Sequence, residues 1–367
     1  MLTWFCFIFI AVADSPPQQS PLNESSSAVL LEEEHLLDKS EEEPDLVDSD
    51  NELEPEDPLR VLHQHLDDLS DADLFAEIAS LQRAGKTADA QLRIDYMSDH
   101  GSSPALAFYG AKNAELEERF ETALEGYRAI DVADLEPDFL LQVRYREALV
   151  LGDLGRHRES LRSFRRLRKS SELRKSDRPV VDLGWGTAAI YSGGWWRTLC
   201  GVKKINRALG ELPETRSAWM QTRARDALVS VLLKEAEAVS FNARRLNRQI
   251  NQRSELIRSA ELQVVAMIQL GEPEYALRGV MGLADAYLQL YDELIAAPHP
   301  KSFSSAQVAL YRQRMRAEAA PIRRTALSYY TKGINYAIQV GWEGQILEQL
   351  EHRKDALRAE LTPVSID

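Results

Sequence analysis

From about Pro58 onward, apolar side chains return at intervals of three and four residues. In ADLFAEIASLQRAG (72–85), Leu74, Ile78 and Leu81 share one face of a helix. No alternating apolar and polar run of useful length occurs, so the pattern predicts helices and no strand. Gly85 closes that first helix, and Lys86-Thr87 open a second with Ala90 and Ile94 on its inner face. The same order returns at Glu118, followed by Ala123 and Tyr127 in LEERFETALEGYRAI, and at Gly155, followed by Ser160 and Phe164 in LGDLGRHRESLRSFRRL. Each unit is a helix, a tight turn and a second helix. In that second helix a small residue permits close approach to a neighbour, and a larger one follows four positions later.

Beyond Arg178 the repetition loosens. LGWGTAAIYSGGWWRTLCGVKKINRALGELP (183–213) predicts helix, Gly193-Gly194 turn and helix, with Pro213 as a stop. Residues 215–251 predict one or two long helices. SAELQVVAMIQLGEPEYALRGVMGLADAYLQLYDELI (259–295) again has a turn, at Gly271, with Ala276 and Val280 after it. APHP (297–300) breaks the chain, and a last long helical stretch follows in which Ala326 and Tyr330 read as another second helix.

Together these features resemble the tetratricopeptide (TPR) repeat, a helix-turn-helix unit of about 34 residues. The resemblance is carried by Ala111 and Ala148 in first helices, Phe120 and His157 after turns, and the pairs Ala123/Tyr127 and Ser160/Phe164. Pro104 and Pro137 stand near the positions where such repeats end. The opening Trp of the repeat is missing, and Ser160 stands for the usual Ala. The C-terminal run, from AAPHP through FSSAQVALYRQRM to EAAPIRRTALSYYTKGINYAIQVGW, is similar to the end of delta-proteobacterial-type cell-envelope TPR proteins, some linked to gliding or pilus motility. The resemblance implies export, an all-α right-handed superhelix of stacked repeats (an α-solenoid) and a scaffolding role. No functional residue carries over with it. The expected organisation is TPR-like repeats over 58–178 and looser repeats with long C-terminal helices over 179–367. A lone helix pair cannot cover its apolar face, whereas stacked pairs cover one another and leave an open concave groove. That groove is the expected seat of a protein or peptide partner.

The N-terminus adds a compartment. MLTWFCFIFIAVA is too short an apolar run to span a bilayer, which takes about 20 residues, but it suits a signal peptide over 1–13 ending at Ala11-Val12-Ala13. A basic segment is missing, since no Lys or Arg precedes Lys39. The reading is an exported protein, periplasmic or outer-membrane-associated, without a transmembrane span. The alternative is a cytoplasmic TPR adaptor or a regulator of an enzyme in another chain. Cleavage would remove Cys6 and leave Cys200 without an intrachain disulfide, as a small buried hydrophobe. The formal net charge of −14 is concentrated: residues 14–57 hold sixteen Asp and Glu against one Lys. That segment reads as a disordered acidic leader, and the remaining body is close to neutral.

Several candidates for chemistry compete with purely structural roles. SLQRAGKT (80–87) ends like a nucleotide-binding P-loop, but Ser80 stands where the loop needs its first glycine, and a helix precedes it instead of a strand. Trp185, Tyr191, Trp195 and Trp196 flank Gly193-Gly194 and are candidate partner contacts; the ordinary use of such aromatics is to fill the space between stacked helices. The run RHRESLRSFRRLRKSSELRKSDR (156–178) holds ten Lys and Arg against three acids. Its Arg162, Arg165, Arg166 and Arg168 read as a solvated face or as a site for an anion: an acidic partner, envelope glycolipid or the chain's own leader. Nucleic acid is not expected, because an exported protein rarely meets it. His63 and His65 with Asp67 and Asp68 suggest a metal, yet the two histidines point to opposite sides of a helix. Adjacent acids such as Glu117-Glu118 are usually solvated. No nucleophile, metalloprotease or redox signature occurs, so the expectation is a non-enzyme with no cofactor and no metal.

Overall fold

The computed structural model describes residues 66, 69–133, 135–171, 173–213, 217–242, 244–299 and 302–361. The expected signal peptide 1–13, the leader 14–57 and the group His63, His65, Asp67 and Asp68 lie outside the described residues. Among those described there are thirteen α-helices and no strand. They are α1 (Asp71–Arg83), α2 (Thr87–His100), α3 (Pro104–Leu116), α4 (Phe120–Ala129), α5 (Pro137–Asp153), α6 (His157–Lys169) and α7 (Arg178–Tyr191). The rest are α8 (Trp195–Glu211), α9 (Ala218–Glu237), α10 (Leu246–Gln269), α11 (Pro273–Ile295), α12 (Ser305–Gln339) and α13 (Gln345–Leu361). No helix among the described residues is long and apolar enough to cross a membrane.

Local chemistry sets the helix ends. Ser70 caps α1 by accepting from the Asp73 N–H at 3.3 Å, and Ser103 caps α3 by accepting from the Leu106 N–H at 3.1 Å. Ser304 and Gln307 form a capping box at α12. Pro104 and Pro137 open α3 and α5, where the missing N–H costs nothing. At the turns, Gly85, Gly155, Gly193, Gly271 and Gly341 take positive φ, and Glu118 does so without being glycine, at 58°. The reversed turn closes by a six-to-one bond: Lys86 N–H donates to Leu81 O at 2.9 Å, and Arg119 N–H to Ala114 O at 2.9 Å. GKT therefore follows a helix and begins the next.

Consecutive helices pack as pairs: α3 on α4, α5 on α6, α7 on α8, α9 on α10 and α11 on α12. The small positions Ala90, Ala123, Ser160 and Ala276 are fully buried, as are Ala111 and Ala148 on first helices. Four residues on, Ile94, Tyr127, Phe164 and Val280 fill the space between pairs. Ser160 fits an alanine position because its hydroxyl donates to Ala148 O at 2.6 Å. A buried hydroxyl without that acceptor would cost roughly 1–3 kcal/mol.

The C-terminal half departs from the sequence pattern. After Pro213 the expected one or two long helices are two, α9 and α10. Ala326 and Tyr330 are buried, but they lie in the middle of the 35-residue α12 instead of just after a turn. Pro321 is accommodated inside that helix. The ends of the array also meet, whereas the repeat pattern predicts an open spiral. The turn after α1 docks on the turn before α13: Glu343 N–H donates to Ala84 O at 3.0 Å, and Lys86 pairs with Glu343 at 2.8 Å. Glycines make this approach possible. A Cβ on Gly85 would stand 3.0 Å from the Gly344 nitrogen and 3.2 Å from the buried Trp342 ring.

Candidate functional site

Five helices, α1, α3, α5, α9 and α11, face a shared cleft of about 300 Å³. α1 contributes Gln82 and Arg83, α3 contributes Phe108, Tyr109, Lys112 and Glu115, and α5 contributes Arg146 and Asp153. Trp219 and Arg223 come from α9, Tyr275 and Arg278 from α11, and Trp342 from the last turn. The repeat positions place these side chains: with Ala111, Ala114 and Ala148 packed toward the second helices, the opposite face of each first helix is left for the cleft.

The floor of the cleft is a buried ion network. Glu115 accepts from Tyr127 Oη at 2.7 Å and from Arg146 Nη1 at 2.9 Å, with Arg223 Nη1 at 3.7 Å. Arg223 Nη2 lies 2.6 Å from both Asp153 oxygens, and its Nη1 donates to Tyr275 Oη at 2.9 Å. The Arg146 guanidinium sits 4.1 Å from the Trp219 ring centroid. Beyond these, Arg278 pairs with Glu274, and Asp226 accepts from Tyr191 Oη at 3.3 Å. Burial alone would raise the Glu115 carboxyl, but Arg146 and Arg223 beside it hold it below its ordinary range. Burial raises Asp226, Glu272 and Glu274, against the pull of neighbouring cations.

Lys112 is the exception in this network. It is half-buried in the cleft wall, and no described carboxylate is ion-paired with it. Burial, helped by the Arg146 charge and opposed by the Glu115 and Glu272 carboxylates, pushes its ammonium down to about 8. Three other lining atoms, Gln82 Oε1, Arg146 Nε and Trp342 Nε1, are buried with no hydrogen-bond partner among the described residues. The cleft thus holds two arginines in ion pairs, a lysine outside them and an aromatic rim, a set suited to gripping a polar or anionic group.

The structure scatters the residues that sequence reasoning singled out. Trp185 is half-buried, with Lys204 Nζ 5.2 Å from its ring centroid. Tyr191 leaves its ring partly exposed while its hydroxyl reaches Asp226. Trp195 and Trp196 do not fill the core: they are 67% and 61% exposed and pack edge-to-face on each other at 5.4 Å. The reason is position, since both stand in the first turn of α8, ahead of the residues that pack on α7. Arg162, Arg165, Arg166 and Arg168 lie on the exposed face of α6, with Arg168 paired to Asp182 at 2.8 Å. None of the eight lines the cleft. Cys200 is half-buried instead of buried. Sequence reasoning missed Lys112, Glu115, Arg146 and Arg223, which on a sequence look like ordinary charges on helices far apart.

No protein-family model matches the chain, and no curated protein matches it. The resemblance to TPR proteins therefore rests on the repeat residues themselves.

Proposed function

We propose that the protein is a non-enzymatic TPR-like scaffold, its pairs set in a right-handed superhelix wound until its ends touch. Its cleft grips an extended segment of a protein partner, in a bacterial cell-envelope assembly of the kind that serves motility. The single observation that carries this reading is Lys112. A half-buried ammonium with no carboxylate in ion-pair contact weakens the fold that holds it, and such a cost is retained where a bound group offsets it. A carboxylate on the partner, seated between Lys112 and the aromatic rim of Tyr109 and Trp219, supplies that group. A cytoplasmic adaptor with the same cleft is the second reading.

A photo-crosslinking residue at Gln142, exposed on the cleft rim, tests this in cells expressing the full chain. The expected result is one discrete crosslinked polypeptide, lost in Lys112→Met and absent when the crosslinker is at exposed Leu310. Recovery from the envelope fraction supports the first reading, and recovery from cytosol the second. Crosslinks indistinguishable between Gln142 and Leu310 would contradict both.

A further inference from the structure

A second surface lies away from the cleft. Gly193 through Arg197 are five consecutive exposed residues, so Trp195 and Trp196 project from the molecule. Both glycines take positive φ, and a Cβ on either would meet nothing within 4 Å, so the tip is bare of neighbours. Behind the tip runs a basic face. Asp182 on α7 accepts from both Arg168 of α6 and Lys204 of α8, each at 2.8 Å. That shared carboxylate brings the end of α6 and the middle of α8 to one side of α7. Both helices pack on α7.

On these two helices stand ten Lys and Arg against two acids, Glu159 and Glu211. Each of the two acids is already paired, with Arg156 and Arg207 respectively. Arg158, Arg162, Arg165, Arg166, Lys203 and Arg197 are exposed. The chain as a whole is acidic, so this excess is local and not a property of average composition.

We propose that this face docks the protein on an anionic lipid surface. The basic residues of α6 and α8 lie against the headgroups, and the Trp195–Trp196 tip enters the interface. The features favour lipid over an acidic protein. Indoles at a protein interface sit at the centre of a patch, ringed by contacts that exclude water. Here they stand at a protruding end with cations behind them, the arrangement by which peripheral proteins rest on charged membranes. Indole is suited to the headgroup level because it is apolar in body and polar at its N–H.

The test is flotation of the full chain with vesicles of phosphatidylcholine alone or with about 40% phosphatidylglycerol, a fraction that gives a strongly anionic membrane. Binding is expected only to the anionic vesicles, and to weaken steeply between low salt and about 0.5 M, where screening shortens to a few ångströms. The triple variant Arg162→Gln/Arg165→Gln/Arg166→Gln should bind about a hundredfold more weakly, from roughly fivefold per basic residue near such a surface. Trp195→Ser/Trp196→Ser, at exposed positions where circular dichroism should stay unchanged, should lose the salt-resistant part of binding. No binding to anionic vesicles by a folded chain would overturn the proposal. So would binding that neither variant changes, or binding to soluble polyglutamate that matches binding to vesicles.

Discussion

Lys112 places a stability cost in the wall of the proposed partner cleft. Its folded value of about 8 lies below the 10.5 of a solvated lysine. Below pH 8 both folded and unfolded chains hold the proton, and the burial penalty is fully present. Between pH 8 and 10.5 the folded chain releases the proton first, so this group's penalty fades as pH rises. Lys112→Met should therefore raise stability at pH 7 by about 1–2 kcal/mol, at about 1.36 kcal/mol per pKa unit less the part that partial exposure screens. The gain should shrink by about pH 9.5. Urea unfolding at the two pH values measures it, and a variant less stable than wild type at pH 7 would contradict the account. At this scale the sequence was legible where spacing is local. Ala123 with Tyr127 and Ser160 with Phe164 announce packing positions within one helix, and all four are buried. Glu115, Arg146, Arg223 and Tyr275 announce nothing, because their meeting depends on four helices stacking in register.

Among elements, the turns were the most legible, since a left-handed residue between two apolar periodicities marks where one helix stops and the next begins. Two of those turns separate local strain from tertiary contact. Gly155 and Gly85 have nearly the same φ, 72° and 75°, but a Cβ at Gly155 meets nothing and one at Gly85 meets Gly344 and Trp342. Gly155→Ala should cost about 1–2 kcal/mol for the left-handed backbone alone. Gly85→Ala should cost a further 1–3 kcal/mol, roughly the cost of overpacking. Equal costs by denaturant titration would mean that the first turn has no neighbour. The α12 helix was less legible. A small residue followed four later by an aromatic, as at Ala326 and Tyr330, suits any helix buried between two others, so the motif alone does not place a turn before it. Trp195 and Trp196 misled in the opposite sense: aromatic content suggested filling, while their place in the first turn of α8 leaves them outside.

At the scale of the whole molecule, the repeat pattern carries nearest-neighbour contacts and nothing about the two ends. The meeting of Ala84 and Lys86 with Glu343 brings together residues from opposite ends of the described helices. It also brings Trp342 to the cleft wall beside Glu272 and Tyr275. The cleft proposed to hold a partner is thus bounded by both ends of the array, and an array with free ends would leave that wall open. A zero-length carbodiimide, which joins an amine to a carboxylate only when they touch, reads this out directly. Lys204 and Asp182, 2.8 Å apart on adjacent helices, serve as the internal control. Peptide mapping of the monomer should find both the Lys204–Asp182 and the Lys86–Glu343 amide. The control amide alone, with Lys86 and Glu343 left uncoupled, would show that the ends stand apart and that the cleft lacks the wall described here.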